Sequence, residues 1–230
     1  MPQPATSTPT PIALARPVPG GSLRSSLAEL ELALRESVTE LQRVQAALSE
    51  SLAREAQAQL LAWHDPLTGL PNRRGFELSS VSTLARQRAS SAVFALLFID
   101  LDDFKSVNDL HGHAVGDELL RVIGQRLVHA LRAGDVVSRQ GGDEFLCLLP
   151  EVHDAEQAGA IARKLFDSVA APCQLAGVHL QVLPSIGVAL YPRDGDNIAA
   201  LIAQADGAMY QAKRSRVGHA FSNGESAPAH

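Results

Sequence analysis

The chain has 230 residues, of which 46% are hydrophobic and 20% are charged, so it can bury one sizeable core and still carry an extension outside it. Its formal net charge of -5 gives no chain-wide basic field of the kind that attracts DNA or RNA, which argues against a nucleic acid polymer as partner. The two cysteines, Cys147 and Cys173, lack CxxC spacing, so we expect thiols in a reducing compartment rather than a disulfide framework or a zinc site.

The first predicted segment is a disordered tail over residues 1–21, which is rich in proline and threonine. It lacks the continuous apolar stretch of a secretory signal. The longest apolar run in the chain, residues 92–99, is too short to span a bilayer. These observations predict a cytoplasmic protein with no direct membrane insertion.

The second segment, residues 22–62, is predicted to form a helical coiled-coil stalk, because it is rich in Ala, Leu, Glu, Gln and Arg. Apolar residues recur at seven-residue spacing with others three places later, namely Leu27, Leu30, Leu34, Leu41, Val44 and Leu48. Ser37 and Ser51 interrupt this seam, so its register is irregular. We expect a homodimer through this helix; the alternative is a lone amphipathic helix folded back on the globular part.

Residues 63–222 are predicted to form a globular domain, and residues 223–230 a second disordered tail. Helical and strand-like patterns alternate within the domain. Expected helices cover residues 73–88, 116–132, about 155–169 and about 197–213, and expected strands cover 92–100, 135–140, 144–149 and about 181–189. Gly141 and Gly142 are expected to form a hairpin turn between the second and third strands. The predicted fold class is α+β, with an antiparallel or mixed sheet covered by helices.

Two acidic segments are the candidates for chemistry. Asp100 ends an apolar strand, whereas Asp143 and Glu144 follow the predicted hairpin turn. Neighbouring carboxylates repel one another unless cations neutralise them. Mg²⁺ prefers oxygen ligands, commonly one or two carboxylates plus substrate phosphates, so Asp100 and Asp143 could form a two-metal site. Each segment alone is equally consistent with a polar loop or a solvated hairpin.

Six motifs in order make the sequence resemble the GGDEF family of diguanylate cyclases. They are DPLTGLPNR at 65–73, DLDDFKSVND at 100–109, GHAVGD at 112–117, RQGGDEF at 139–145, SIGVA at 185–189 and ADGAMYQAK at 205–213. The resemblance implies a fold related to nucleotidyl cyclases and polymerase palms. It also implies that a dimer condenses two GTP molecules into cyclic di-GMP with loss of pyrophosphate.

By position, the resemblance implies a metal site and its catalytic residues. Asp100, the main-chain carbonyl of Leu101, Asp143 and Glu144 would hold Mg²⁺, for which Mn²⁺ could substitute. Asp143 would accept the proton of the attacking 3′-hydroxyl, with Glu144 beside it. Lys105 would stabilise charge on the phosphates in the transition state.

Substrate binding is implied for five further residues, namely Asp103, Phe104, Asn108, Asp117 and Lys213. Main-chain amides from Asp103 onward would cradle the terminal phosphates, with help from Lys213. Asn108 and Asp117 would select guanine, because a carboxylate can accept from both N1–H and the exocyclic amine of that base. Read without the resemblance, Asp117 fits a helix N-cap, Asn108 a helix end and Lys213 a favourable charge in a last helical turn.

An RxxD motif, formed by Arg132 and Asp135, ends a few residues before the Gly-Gly turn. The resemblance implies that these residues, with Arg163, bind cyclic di-GMP as an allosteric inhibitor. An arginine fork suits both a phosphate and the Hoogsteen edge of guanine.

The sequence departs from the family pattern in two places. Gln140 stands where an aromatic or aliphatic residue is more usual. The segment KRSRVG at 213–218 lacks the Gly-Arg-Asn that commonly follows the lysine. The arginine of that triplet normally contacts a phosphate, and Arg216 is the substitute that this sequence offers. Two other functions stay open, namely a non-catalytic receptor for cyclic di-GMP or GTP and a coiled-coil adaptor. A receptor would be expected to lose the metal acids or Lys105, and none of these is lost.

Overall fold

The computed structural model describes residues 20–90 and 92–222. The chain divides into two compact units, Met1–Ala56 and Gln57–His230. The predicted tails lie outside the described residues, except for Gly20 and Gly21, which begin helix α1 (Gly20–Trp63). The helix therefore begins two residues before its predicted start at 22. Its first turn leaves N–H groups without intrahelical partners whatever the residue, and helix ends are the least certain part of a pattern-based prediction.

In the first unit, α1 exposes its apolar residues. Leu27, Leu34, Leu41 and Leu48, which form the predicted seam, are between 57% and 64% exposed. The predicted long helix is confirmed. Among the described residues of this unit, nothing covers the apolar stripe.

The second unit contains α2 to α6 and β1 to β7 in its described part. The helices are α2 (Arg73–Ser90), α3 (Phe104–His111), α4 (His113–Ala130), α5 (Ala155–Ala170) and α6 (Ile198–Ser215). The strands are β1 (Phe94–Leu101), β2 (Val136–Gly141), β3 (Glu144–Leu149), β4 (Cys173–Leu175), β5 (Val178–Leu180), β6 (Pro184–Tyr191) and β7 (His219–Phe221). Every predicted helix and strand is present, with ends shifted by at most three residues, whereas β4, β5 and β7 lay outside the predictions.

The strands form a mixed five-stranded sheet in the order β2-β3-β1-β6-β7 and a separate β4-β5 hairpin. β1 is antiparallel to both β3 and β6, while β6 and β7 are parallel. The predicted α+β class with a mixed sheet is confirmed. β1 therefore lies at the centre, and whatever follows its last residue is held by strands on both sides.

Helices cover both faces of the sheet, and the side chains of β1 alternate between them. Leu97 and Ile99 pack in the core formed with α4 and α5. Leu96 and Phe98 pack in the core formed with α2 and α6. A strand buried on both faces reads as an unbroken apolar run, which explains why residues 92–99 lack polar alternation.

Candidate active site

Three acidic side chains meet where the central strand ends. In the register of β1 and β3, Asp100 lies directly opposite Glu144. The connection between β2 and β3 is a tight turn in which Gly142 has a φ of +52°, a left-handed conformation that glycine adopts without strain. Asp143 occupies this turn, so its carboxylate also lies beside the end of β1. The structure thus brings together the acids that the sequence predicted as metal ligands.

The charges of these acids act on one another. Burial and then the charge of Asp100 raise the pKa of Asp143. Burial and then the charges of Asp100, Asp143 and Asp206 raise the pKa of Glu144. Because Glu144 is exposed, we assign more of its shift to the neighbouring charges than to burial. The cluster therefore favours a bound cation.

Asp206, on α6, is a member of this acidic cluster that the sequence interpretation missed. Its charge contributes to the raised pKa of Glu144. A signal was present in the sequence, because Asp206 lies seven residues before Lys213 and residues at that spacing share one face of a helix. The face of α6 that carries Lys213 therefore also carries an acid.

Lys213 supplies a positive charge in direct contact with one of the predicted metal ligands. Its ammonium donates a hydrogen bond to the Asp100 carboxylate, and its Nζ lies 3.8 Å from Oδ1 of Asp102. Burial alone would lower the pKa of Lys213, but the hydrogen bond and charge of Asp100 outweigh it and raise that pKa. Asp102 also accepts a hydrogen bond from Ser185 at 2.9 Å. The sequence predicted that Lys213 binds substrate, whereas in the structure its ammonium contacts the carboxylate of Asp100.

Arg139 joins the acidic turn to the segment that follows α1. Its Nη1 donates to both carboxylate oxygens of Asp65 at 2.9 Å, and its Nε and Nη2 donate to the carbonyl of Gly142 at 3.0 and 2.7 Å. The two side chains are only 10% and 15% exposed. Burial alone would raise the pKa of Asp65, but hydrogen bonds from Thr68 and Arg139 lower it. Both residues lay in quoted motifs, yet nothing in the sequence assigned them this contact.

The acidic cluster fits a magnesium site that substrate completes. No group of three or more His, Cys, Asp or Glu side chains in residues 20–90 and 92–222 could hold a metal ion on its own. Mg²⁺ commonly uses one or two protein carboxylates and takes its other ligands from phosphates and water. Asp100, Asp143, Glu144 and the carbonyl of Leu101, the last residue of β1, offer this oxygen-only set.

The loop after β1 leads directly into α3. Asp103 has a φ of +56° at the N-cap of the helix, and its side chain makes no capping hydrogen bond. Phe104 is buried and fixes the first turn in the core, while Lys105 is exposed. Asp103, Phe104 and Lys105 therefore lie together at the start of one helix, close in sequence to Asp100.

The two predicted guanine-binding residues lie on adjoining helices. Gly112 separates α3 from α4, and its N–H donates to the carbonyl of Asn108 at 2.8 Å. A Cβ placed on Gly116 would lie 2.0 Å from Oδ1 of Asn108, so this amide packs directly against the backbone of α4. Asp117 is the next residue of α4 and is exposed. The close contact brings both polar residues to the same helix junction.

The RxxD residues form a compact corner before β2. The main-chain N–H of Arg132 donates to Asp135 at 3.2 Å, and its guanidinium lies 3.5 Å from carboxylate oxygens of both Asp135 and Glu151. Arg163 lies on α5, where its charge, after burial, lowers the pKa of His219. Within the described parts of the chain, no ion pair or hydrogen bond joins Arg163 to Arg132 or Asp135. Glu151 is a partner of Arg132 that the sequence did not indicate.

A mixed sheet whose central strand ends in acids beside an acidic hairpin turn defines a palm domain of the nucleotidyl-cyclase type. The sequence profile described as "Diguanylate cyclase, GGDEF domain" matches residues 62–219. The chain therefore belongs to the GGDEF domain family of diguanylate cyclases.

Relatives with different named activities share this domain. Diguanylate cyclase TpbB of Pseudomonas aeruginosa PAO1 is 42% identical over 180 residues, which are 78% of this chain and 41% of TpbB. Cyclic di-GMP phosphodiesterase NbdA of the same strain is 37% identical over 176 residues, which are 76% of this chain and 22% of NbdA. The chain thus spans less than half the length of these two curated relatives.

Solved structures agree with the fold. A crystal structure of a sensory box/GGDEF family protein from Caulobacter crescentus CB15 has a TM-score of 0.64 and 41% sequence identity to this chain. The similarity covers 66% of this chain and 99% of the Caulobacter chain. None of the helices in the described ranges is long and apolar enough to cross a bilayer.

Proposed function

We propose that this chain is a diguanylate cyclase that condenses two GTP molecules into cyclic di-GMP and two pyrophosphates. The main support is the cluster of Asp100, Asp143 and Glu144, which the register of β1 and β3 assembles in a chain of this family. Its 42% identity to TpbB, a protein named as a diguanylate cyclase, adds support. The proposal places the domain in the cytoplasm, where GTP is available.

The reaction consists of two phosphoryl transfers with the same bond changes. In each, the 3′-oxygen of one GTP forms a bond to the α-phosphorus of the other, and the bond from that phosphorus to the oxygen of the leaving pyrophosphate breaks. We assign acceptance of the 3′-hydroxyl proton to the Asp143 carboxylate, with Glu144 beside it. The second, reciprocal attack closes the ring.

Metal binding falls to the oxygen ligands at the end of β1. Asp100, the carbonyl of Leu101, Asp143 and Glu144 would hold Mg²⁺ or, as a substitute, Mn²⁺. A bound metal ion neutralises phosphate charge and favours the ionised 3′-oxygen. The protein's own part is to position these ligands, which the sheet register and the bond from Arg139 to Gly142 achieve.

The substrate residues surround this cluster in the proposal. Lys105 and the amides that follow Asp103 and Phe104 would contact the phosphates, with Lys213 close to Asp100. Asn108 and Asp117 would accept and donate hydrogen bonds at the edge of guanine, which offers an N1–H and an amine that adenine lacks. The packing of the Asn108 amide against Gly116 supports this role, because it fixes the amide beside Asp117.

A homodimer is part of the proposal, because one domain offers one such half-site and the product contains two nucleotides. The exposed stripe of α1, which includes Leu27, Leu34, Leu41 and Leu48, supports pairing with a second copy through a coiled coil. Burying these side chains removes apolar area from water. Ser37 and Ser51 would weaken the seam where they fall.

We also propose that cyclic di-GMP inhibits the enzyme at Arg132, Asp135 and Arg163. The position of Arg132 supports this proposal, because its side chain is 46% exposed and its guanidinium lies only 3.5 Å from a carboxylate oxygen of Glu151. A bound product phosphate would have to displace this pair. The Glu151 side chain is largely exposed and the Arg132 side chain is partly exposed, so the displacement costs little.

A non-catalytic receptor for cyclic di-GMP or GTP is the second candidate. NbdA, which shares 37% identity with this chain, is named as a phosphodiesterase, so this domain also occurs in a protein that is not named as a cyclase. Retention of Asp100, Asp143, Glu144 and Lys105 favours the cyclase.

Turnover of GTP separates the two candidates. We expect the full chain with GTP and Mg²⁺ to form cyclic di-GMP and pyrophosphate, measured by chromatography and mass spectrometry. Asp143→Asn should lower the rate by about 10²–10³-fold, because it removes a metal ligand and the proton acceptor. Asp167→Asn, on the exposed face of α5, is the matched control and should keep the wild-type rate. GTP binding without product from the wild type would favour the receptor.

A further inference from the structure

Asp102 is an acid beside the proposed metal ligands whose carboxylate the sheet holds in place. Its main-chain N–H donates to the carbonyl of Leu183 at 2.8 Å, so contact between these two chain segments continues past the end of β1. Ser185 lies opposite Asp100 in the register of β1 and β6, and its hydroxyl donates to Oδ1 of Asp102 at 2.9 Å. Because Ser185 is buried, this bond orients the Asp102 carboxylate.

The ammonium of Lys213 lies between two carboxylates that hold it differently. It donates a hydrogen bond to Oδ1 of Asp100, and its Nζ lies 3.8 Å from Oδ1 of Asp102. A shift of about 1 Å would shorten the second contact to the roughly 2.8 Å of a charge-assisted hydrogen bond. The Lys213 side chain is 41% exposed and its four-carbon stem is flexible, so this shift needs no movement of the backbone.

A metal ion on Asp100 would change the balance between these two contacts. A cation bound by that carboxylate repels an ammonium on the same group, so Asp100 cannot keep Lys213 in place once it is a metal ligand. Asp102 can, because it is not one of the proposed ligands and Ser185 already orients it. Asp102 and Lys213 line the same cavity of about 660 Å³, so the ammonium would stay beside a space large enough for phosphates.

We propose that Asp102 is a positioning residue that, held by Ser185, keeps the ammonium of Lys213 at the site when Asp100 binds the metal. This role rests on the proposed function, in which Asp100 holds Mg²⁺ and Lys213 serves the phosphates. It is opposite in sign to the effect of the Asp102 charge alone. A carboxylate beside a triphosphate weakens binding by repulsion, whereas a carboxylate that holds a cation in place strengthens it.

The sign of one substitution tests this role without turnover. Binding of a GTP analogue with a methylene bridge between the α- and β-phosphates is measured by calorimetry at saturating Mg²⁺. Asp102→Asn should weaken binding about fivefold, the scale of one partly exposed ion pair, because Lys213 is no longer held. In a Lys213→Met background the same substitution should leave binding unchanged or tighten it by up to about twofold, because only a repulsive charge is removed.

Asp206→Asn is the matched control. Asp206 contributes to the raised pKa of Glu144, and within residues 20–90 and 92–222 it forms no ion pair with Lys213. The substitution removes the same charge from the acidic cluster, so the affinity for the analogue should stay the same or rise by up to about twofold in both backgrounds. Tighter binding by Asp102→Asn in the wild-type background, or equal weakening in both backgrounds, would overturn the role of Asp102.

Two further variants separate positioning from folding. Asp102→Glu keeps the charge and should recover part of the lost affinity, whereas Ser185→Ala should weaken binding about twofold, and only when Lys213 is present. The amide oxygen of Asp102→Asn can still accept from Ser185, so its melting temperature should change by less than about 3 °C. A larger drop, with no recovery of binding in Asp102→Glu, would indicate a structural role instead.

Failure of the cyclase and failure of this role give different results. If the wild type binds the analogue but forms no cyclic di-GMP from GTP, the cyclase is refuted while the binding cycle still decides the role of Asp102. If the wild type does not bind the analogue at saturating Mg²⁺, the substrate site and the role of Asp102 are refuted together.

Discussion

Two ion pairs at the same end of the sheet differ in how completely the protein satisfies them. In the Asp65–Arg139 pair, both carboxylate oxygens and three guanidinium nitrogens have partners at 2.7 to 3.0 Å, and the side chains are 15% and 10% exposed. In the Asp100–Lys213 pair, the lysine is 41% exposed and other acids surround it. The first pair is a fixed part of the fold, whereas the second leaves oxygen atoms available to a ligand.

Ion pairing alone therefore does not identify a functional site. Asp65 has a lowered pKa because hydrogen bonds outweigh burial, so the protein has stabilised its charge. Asp143 has a raised pKa because burial and Asp100 act in the same direction, so the protein leaves its charge for a cation to stabilise. We expect the first pair to control stability and the second to control binding.

The largest effect on stability is expected from Asp65→Asn. The substitution leaves the guanidinium of Arg139 without its counter-charge in a nearly buried position, which should cost about 2–3 kcal/mol. Thermal unfolding should show a melting temperature lower by roughly 5–10 °C. The control, Asp167→Asn, should shift it by less than about 2 °C. An unchanged melting temperature for Asp65→Asn would show that the pair is not a fixed part of the fold.

A smaller effect on the free energy of unfolding is expected when the pH is lowered. Because the pKa of Asp65 is lowered in the folded state, the unfolded chain binds its proton at higher pH than the folded chain does. The stability that Asp65 contributes is therefore present above the ordinary aspartate pKa of about 3.9 and is lost as pH falls through its lower folded-state value. Urea unfolding of wild type and Asp65→Asn from pH 7 to pH 3 should give a difference in free energy that is constant down to about pH 4 and shrinks below it. A constant difference across this range would contradict the assignment.

The smallest effect on stability is expected from Lys213→Met. The lysine of this ion pair is 41% exposed, so the pair is worth at most about 1 kcal/mol and the melting temperature without metal should change by less than roughly 3 °C. Addition of Mg²⁺ should then raise the melting temperature of the variant more than that of the wild type, because the metal no longer competes with an ammonium for Asp100.

The control for Lys213→Met is Lys164→Met, which removes the same charge from an exposed position on α5. This variant should respond to Mg²⁺ as the wild type does. If Lys213→Met lowered the melting temperature as much as Asp65→Asn does, the two ion pairs would not differ in their contribution to stability.

Most of the fold could be predicted from the sequence, because its elements have clear periods. The run before Asp100 indicated the central strand, and the paired glycines before Asp143 indicated the hairpin, whose second strand has the predicted bounds of Glu144–Leu149. The strands β4, β5 and β7 have three residues each, which is too short for alternation to identify. They depend on the rest of the fold for their pairing.

The candidate site was also predictable only in part from the sequence. Motif resemblance selected Asp100, Asp143 and Glu144, and the sheet register then brought them together. The contact between Lys213 and Asp100 joins residues 113 positions apart, and that between Arg139 and Asp65 joins residues 74 positions apart. Local patterns carry no information on such pairs, so these contacts required the folded chain.

We propose that this end of the sheet is one half of a dimeric GTP-condensing site. The most direct test measures the initial rate of cyclic di-GMP formation per protomer, with Mg²⁺ and saturating GTP, across protein concentrations that span the monomer–dimer transition determined by sedimentation. We expect two pyrophosphates per cyclic di-GMP and a rate per protomer that rises with the dimer fraction and approaches zero for the monomer. A rate per protomer that stays constant into the monomeric range, or dimers that bind GTP and release no product, would contradict the claim.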